Sequence, residues 1–232
     1  MAPLRKFKDA LYAEFARLGK ALASPKRIEL LDLLSQGEKT VETLAESSAT
    51  PIKSTSAHLK VLRQARLVET RRAGTYVRYR LADDQISHFL RSLQRLGRAR
   101  LAEVEQVAAL YLGGRDQMQP VTSTELRRLI RQGDVTVIDV RPRDEYEAGH
   151  IPGALSVPLP ELPRRLGDIP KRHEVIAYCR GPYCVFSFEA VTLLRRRGYQ
   201  ARRALDGLVD WRAQGLPIER GSIALTDGGG TP

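Results

Sequence analysis

Cysteine is almost absent: 232 residues contain two, at positions 179 and 184, both in "AYCRGPYCVF". So few thiols exclude a disulfide-stapled scaffold, and two at this spacing lack the further ligands of a zinc site. In a chain with no secretory features, a close pair of thiols points to catalytic or redox chemistry. Long apolar runs are also missing. None approaches a membrane span, and the start, "MAPLRKFKDALYAEF", has no uninterrupted apolar stretch of the signal-peptide kind. The expectation is a cytoplasmic protein with no membrane partner. There is no internal repeat and no long low-complexity segment.

What is abundant is positive charge, unevenly placed. Residues 1–112 hold 20 Lys/Arg against 12 Asp/Glu, and residues 113–232 hold 18 against 15, for a total of +11. The excess in the first half points to an anionic partner such as nucleic acid. Length allows one large domain or two small ones. The pattern changes near "YLGGRDQMQPVTS" (111–123), where Gly113, Gly114 and Pro120 interrupt regular structure. Helical periodicity precedes this stretch, and short β-rich runs alternate with helices after it. The expected division is 1–112, a linker over 113–120, a second domain over 121–220, and a disordered tail over 221–232.

In the first half, Leu4, Phe7, Leu11, Phe15, Leu18 and Leu22 share one helix face. Ser24–Pro25 reads as an N-cap with a first-turn proline, opening a helix toward Gly37. "TVETLAESS" is a short helix, and Thr50–Pro51 opens another through "IKSTSAHLKVLRQ". "LVETRRAGTYVRYRL" alternates around Ala73–Gly74 as a hairpin. A long segment over 84–112 carries the stripe Leu93, Leu96, Leu101, Val104, Ala108 and Tyr111, with Gly97 as its weak point. Two short helices with a tight turn and then a basic hairpin describe a winged helix-turn-helix, whose second helix enters the major groove. Lys53, Ser54, Ser56, His58 and Lys60 are the candidate groove residues, and Arg71, Arg72, Arg78 and Arg80 the candidate wing contacts.

"ALASPKRIELLDLL" with "STSAHLKVLRQARLVETRRAGTYVRYRL" resembles the ArsR/SmtB-type bacterial repressors over residues 4–112. The resemblance implies a homodimer formed by the first and last helices on a pseudo-palindromic double-stranded DNA operator. It departs from the family at Arg66, where glycine is usual and ends the recognition helix in a left-handed conformation. The family's metal ligands are not matched. The helix "TVETLAESS" has no cysteine, and Asp84 with His88 supplies half of the other known site. No metal or cofactor is expected.

The second half reads as α/β with a parallel sheet. "VTVIDV" (135–140) and "EVIAYC" (174–179) are buried strands; "STELRRLIRQ", "VFSFEAVTLLRRRG" and "GLVDWRAQG" are helices. Cys179 stands at the carboxyl end of its strand, where such sheets bind ligands. The loop Arg180, Gly181, Pro182, Tyr183 follows, then Cys184 and a helix. Loop amides, the helix N-terminus and Arg180 favour a Cys179 thiolate, the reactive nucleophile. "VIDVRPRDEYEAGHIPGALSVPL", "YCRG" and "DGLVDWRAQGLPIE" resemble a single rhodanese domain over 121–219. That resemblance implies sulfane-sulfur transfer through a Cys179 persulfide. Asp139, Arg141 and the turn from His150 to Ala154 then serve as scaffold. Cys184 stands where a rhodanese loop usually ends in arginine, which suggests a resolving thiol and weakens the case for thiosulfate. Val185 stands where related phosphatases and arsenate reductases have their arginine. The combined expectation is a cytoplasmic, dimeric repressor that senses or transfers sulfane sulfur from polysulfide, persulfide or thiosulfate. Two alternatives stay open: a sulfurtransferase whose first domain mainly dimerises, and a repressor whose rhodanese-like domain is catalytically silent.

Overall fold

The computed structural model describes residues 2–112 and 119–221. Most of the expected linker and nearly all of the expected tail lie outside those residues. The chain divides into two compact units between Ala99 and Arg100.

The first unit contains α1 (Ala2–Leu22), α2 (Pro25–Leu34), β1 (Lys39–Thr40), α3 (Val41–Ser47), α4 (Ile52–Gln64), β2 (Val68–Ala73), β3 (Tyr76–Leu81) and α5 (Asp84–Arg100). Its core is leucine-rich: Leu30, Leu31, Leu34, Leu44, Leu59, Leu62, Val68 and Leu90 are buried together. α3 and α4 form the helix-turn-helix. The three strands pair antiparallel in the order β1-β3-β2, with β2 and β3 as the wing. The apolar face of α1 is not part of this core, since Leu4, Phe7, Leu11, Phe15 and Leu18 are exposed.

Two turns close without glycine. Ala49 (φ 46°) ends α3 as the Thr50 amide donates to the Ala45 carbonyl at 2.9 Å; Arg66 (φ 59°) ends α4 as the Leu67 amide donates to the Leu62 carbonyl at 3.0 Å. Both are left-handed caps that bring otherwise unpaired carbonyls into hydrogen bonds. At Arg66 the expected conformation is found; at Ala49 no glycine signalled it.

Three local expectations shift. Ser24 occupies the cap position of α2, but its side chain makes no capping bond. Pro51 rather than Thr50 precedes α4. The 84–112 segment breaks at Leu101, and Gly97 lies inside α5. Part of its stripe (Leu96, Leu101 and Tyr111) is exposed.

The second unit begins with α6 (Ala102–Leu112), ahead of the boundary expected after residue 112. It continues through α7 (Ser123–Gln132), β4 (Val135–Asp139), α8 (Arg143–Ala148), β5 (Leu155–Ser156), two 3-10 turns, β6 (Glu174–Tyr178), α9 (Val185–Arg196), β7 (Ala201–Arg203) and α10 (Leu208–Ala213). The sheet is parallel, in the order β5-β4-β6-β7. Two apolar clusters sandwich it. Val175, Ala177, Ala190, Val191 and Leu194 belong to one, and Val137, Ile176, Tyr178, Leu208 and Trp211 to the other. Alternate residues of β6 thus enter opposite layers, the reason this strand reads as an unbroken apolar run.

Candidate functional site

Strand β6 ends at Tyr178, and Cys179 is the first residue beyond it, only 2% exposed. The chain then turns through Arg180–Tyr183, and the Cys184 amide donates to the Gly181 carbonyl at 3.1 Å. Cys184 is the N-cap of α9, and Ser187 donates its hydroxyl to the Cys184 carbonyl. The two sulfurs are bonded to each other, with Cα atoms 6.2 Å apart. That span is within reach of an ordinary disulfide, about 4.4–6.8 Å. The five residues from Cys179 to Tyr183 and Cys184 therefore share one loop at the carboxyl end of the sheet.

Arg180 has another role besides adding charge near Cys179. Its guanidinium grips the carboxylate of Glu145, with Nη2 to Oε1 at 2.6 Å and Nε to Oε2 at 3.0 Å, and lies 5.4 Å from the centre of the Phe186 ring. Glu145, on α8, is fully buried. A fork-to-carboxylate pair of this kind fixes geometry and offsets most of the cation's field. Nothing local marks Glu145 as its partner, since the pair spans 35 positions.

Gly207 supports the loop from behind. A Cβ built there would stand 2.2 Å from the Arg180 carbonyl oxygen and 2.7 Å from the Gly181 nitrogen. Only a residue without a side chain lets α10 approach the Arg180–Gly181 peptide so closely. The glycine was visible in "DGLVDW", but its contact was not.

Asp139, Arg141 and His150 of the neighbouring motif are all buried. Arg141 and Asp139 are both fully buried and paired, with Arg141 Nη2 to Asp139 Oδ2 at 2.6 Å; Arg141 also donates to the Gly149 carbonyl at 2.8 Å. Burial pulls the Arg141 pKa down, but the Asp139 carboxylate more than reverses this and leaves it raised. The Tyr178 hydroxyl donates to Asp139 and accepts from the Ile151 amide. Burial, reinforced by Asp139, holds its pKa well above the ordinary value. Tyr146 donates to the Ala154 carbonyl, and burial pushes its pKa up to about 12. The His150 ring stacks on Tyr146 with centroids 3.7 Å apart. These groups join β4, β6 and the His150–Ala154 turn into one rigid base.

In the first unit, Thr55, Leu59 and Leu62 bury one face of α4. Lys53, Ser54, Ser56 and Lys60 are exposed, and His58 is half-buried at the edge of the core face. Periodicity brings Ala57 and Gln64 to the outward side with Lys53 and Lys60, and both are exposed. In the wing, Arg71, Arg72 and Arg80 are exposed and Arg78 is half-buried. Arg71 bonds Glu38 (Nη2 to Oε2, 2.6 Å) and Arg80 pairs with Glu69 at 3.0 Å. Glu38 has its pKa lowered by the Arg71 hydrogen bond. Among the described residues, no group of three or more His, Cys, Asp or Glu could hold a metal ion.

Both halves match known families. Residues 24–70 fit the model for bacterial regulatory proteins of the arsR family, and residues 122–214 that for the rhodanese-like domain. The HTH-type transcriptional regulator Rv0324 of Mycobacterium tuberculosis is 41% identical over 93% of this chain and 94% of its own length. A sulfurtransferase of Allochromatium vinosum is 36% identical over 40% of this chain and 85% of its own. Among solved structures, the homodimeric winged helix-turn-helix DNA-binding domain Mb0332 of Mycobacterium bovis is 38% identical over 41% of this chain and 89% of that one, with a TM-score of 0.39. A relative alike over nearly the full length, with each family model falling on the unit that has its architecture, leaves one conclusion: the chain belongs to the arsR family of bacterial regulators, in the form that carries a rhodanese-like domain behind its winged helix-turn-helix.

Proposed function

We propose that this protein is a homodimeric DNA-binding repressor whose operator affinity is set by sulfane sulfur at the thiol loop. The bonded pair Cys179–Cys184 carries the reading. A second thiol within bonding reach of the first offers an exit other than transfer to an acceptor. The Cys179 thiolate attacks the terminal sulfane sulfur of a polysulfide or persulfide donor; the donor's sulfur–sulfur bond breaks, the remainder leaves with the electron pair, and Cys179 becomes a persulfide. The Cys184 thiolate then attacks the Cys179 sulfur; a Cys179–Cys184 bond forms, the persulfide bond breaks, and hydrosulfide leaves with the electron pair. The two thiols are oxidised and the sulfane sulfur is reduced. With a longer sulfur chain on Cys179, attack of the Cys184 thiolate on a sulfur beyond the Cys179 sulfur leaves a polysulfide bridge, and the remaining shorter chain leaves with the electron pair. DNA binding falls to α4 and the wing, supported by the exposed cations there and by the relatives' regulator names. The exposed apolar face of α1 supports pairing with a second copy, as in the homodimeric Mycobacterium bovis domain.

The test is a DNA-shift assay on the promoter upstream of the gene, with intact mass measured on the same samples. Wild type, Cys179→Ser and Cys184→Ser are each compared with and without polysulfide. The expected result is a response in wild type alone, with Cys184→Ser trapped as a Cys179 persulfide. A full response in Cys179→Ser overturns the proposal and leaves a repressor with a silent second domain. The similarity to the Allochromatium vinosum sulfurtransferase favours a second reading, a turning-over enzyme. Multiple-turnover sulfur transfer without specific DNA binding would select it.

A further inference from the structure

Resting on the reading that Cys179 takes sulfane sulfur, we infer that the donor is uncharged and apolar, elemental sulfur in its eight-membered ring being the compact case. Two observations carry this. The first is electrostatic. A cation in the loop favours an anionic donor such as thiosulfate, and residues 180–184 contain one, Arg180. Position 184 is a cysteine. Position 180 is an arginine whose guanidinium is bidentate on the buried carboxylate of Glu145.

The second is a cleft of about 420 Å³ beside the loop, within the second unit. Tyr183 and Val185, the two chain neighbours of Cys184, form one wall; Val104, Val107, Ala108 and Tyr111 of α6 form the other. Among the described residues of the lining, Glu103 is the one charged side chain, and its carboxylate repels anions. Small-molecule pockets run about 300–1,000 Å³ and are mostly apolar. A cleft of this character next to a thiol pair suits a sulfane sulfur source that carries no charge and no hydrogen-bonding groups.

The chemistry balances without another reactant. The Cys179 thiol gives its proton to solvent. The thiolate donates an electron pair to one ring sulfur, forming a new sulfur–sulfur bond. The adjacent ring bond breaks, and its pair rests on the far terminal sulfur as a polysulfide anion. The Cys184 thiolate then attacks at the Cys179 end and releases the remaining chain.

The experiment uses the full-length reduced protein and follows sulfur uptake by intact mass. Dispersed elemental sulfur and thiosulfate are compared at equal sulfane sulfur, in wild type, Cys179→Ser, Val107→Glu and Val107→Leu. Elemental sulfur is expected to load wild type at least about tenfold faster than thiosulfate. Val107→Glu is expected to slow that loading by about tenfold, the effect of about 1.4 kcal/mol from a charge set into an apolar cleft. Val107→Leu keeps the wild-type rate, and iodoacetamide labelling of Cys179 reports that the thiol stays reactive in each variant. Equal loading from thiosulfate, or no effect of Val107→Glu, overturns the inference while leaving the Cys179 reading intact. Failure of both donors on wild type, or loading that persists in Cys179→Ser, sinks the underlying reading instead.

Discussion

Gly207 contains no functional group, yet the thiol loop leans on it. Its missing side chain is where the Arg180–Gly181 peptide passes, and a methyl placed there meets backbone atoms that have no rotamer to escape into. Gly207→Ala is therefore expected to destabilise the protein by about 1–3 kcal/mol, the usual effect of overpacking. It should also move the loop and so change the rate at which iodoacetamide labels Cys179 relative to Cys184 in the reduced protein. Thermal unfolding and peptide mass spectrometry read the two effects separately; a variant with wild-type labelling would remove Gly207 from the positioning of the thiol. Arg66 is the opposite case, a side chain in a conformation that favours glycine. Arg66→Gly should raise stability by up to about 1 kcal/mol, because relief of left-handed strain exceeds the added freedom of the unfolded chain. Denaturant melts of the two proteins check it, and a drop in stability would mean that the arginine makes contacts worth more than its strain.

Among the elements, the proposed function assigns base reading to α4 and backbone contacts to the wing. Ser56→Ala on the exposed side of α4 should cost about 1–3 kcal/mol at the cognate operator and little at random sequence. Arg72→Ala in β2 should weaken binding to all sequences and flatten the salt dependence. Salt-titrated shift assays separate the two, and identical behaviour of both variants would refute the assignment of α4 as the reading helix. The wing is also tethered: Arg71 reaches across to Glu38 just before β1. Glu38 titrates below its ordinary value of 4.5 in the folded state, so the tether contributes stability above that pH and loses it as the pH falls through the lowered pKa. The difference in melting temperature between wild type and Glu38→Gln should shrink on acidification below pH 4.5. A constant difference would show that the contact has no ionic part. These elements were largely legible from the sequence. Leucines at helical spacing, the alternation about Gly74 and the apolar run before Cys179 each follow from a burial pattern carried by neighbouring residues. Contacts between distant segments were not legible. Glu145 looks like any helix-surface acid until the fold brings it to Arg180. The strands β5 and β7, at two and three residues, are too short to show a period.

For the whole molecule, the proposed switch carries a reciprocal obligation. If the bridged and reduced forms differ in operator affinity by about 1–3 kcal/mol, operator DNA must shift the reduction potential of the Cys179–Cys184 couple by about 20–65 mV, the same free energy read from the other site. Redox titration in dithiol buffers, with operator and with a scrambled duplex, measures it. A potential unmoved by operator would show that the two units do not communicate through the thiols. The short outer strands have a consequence of another kind. A sheet invites foreign chains wherever a long, flat border offers unpaired backbone groups. Here β5 stops after Ser156 and runs into Val157–Pro158, while the outer side of β7 is occupied by Val121, whose amide donates to the Arg203 carbonyl and whose carbonyl accepts from the Leu205 amide. A domain that cycles as proposed between oxidised and reduced forms would thereby keep the borders of its sheet closed to amyloid-like stacking.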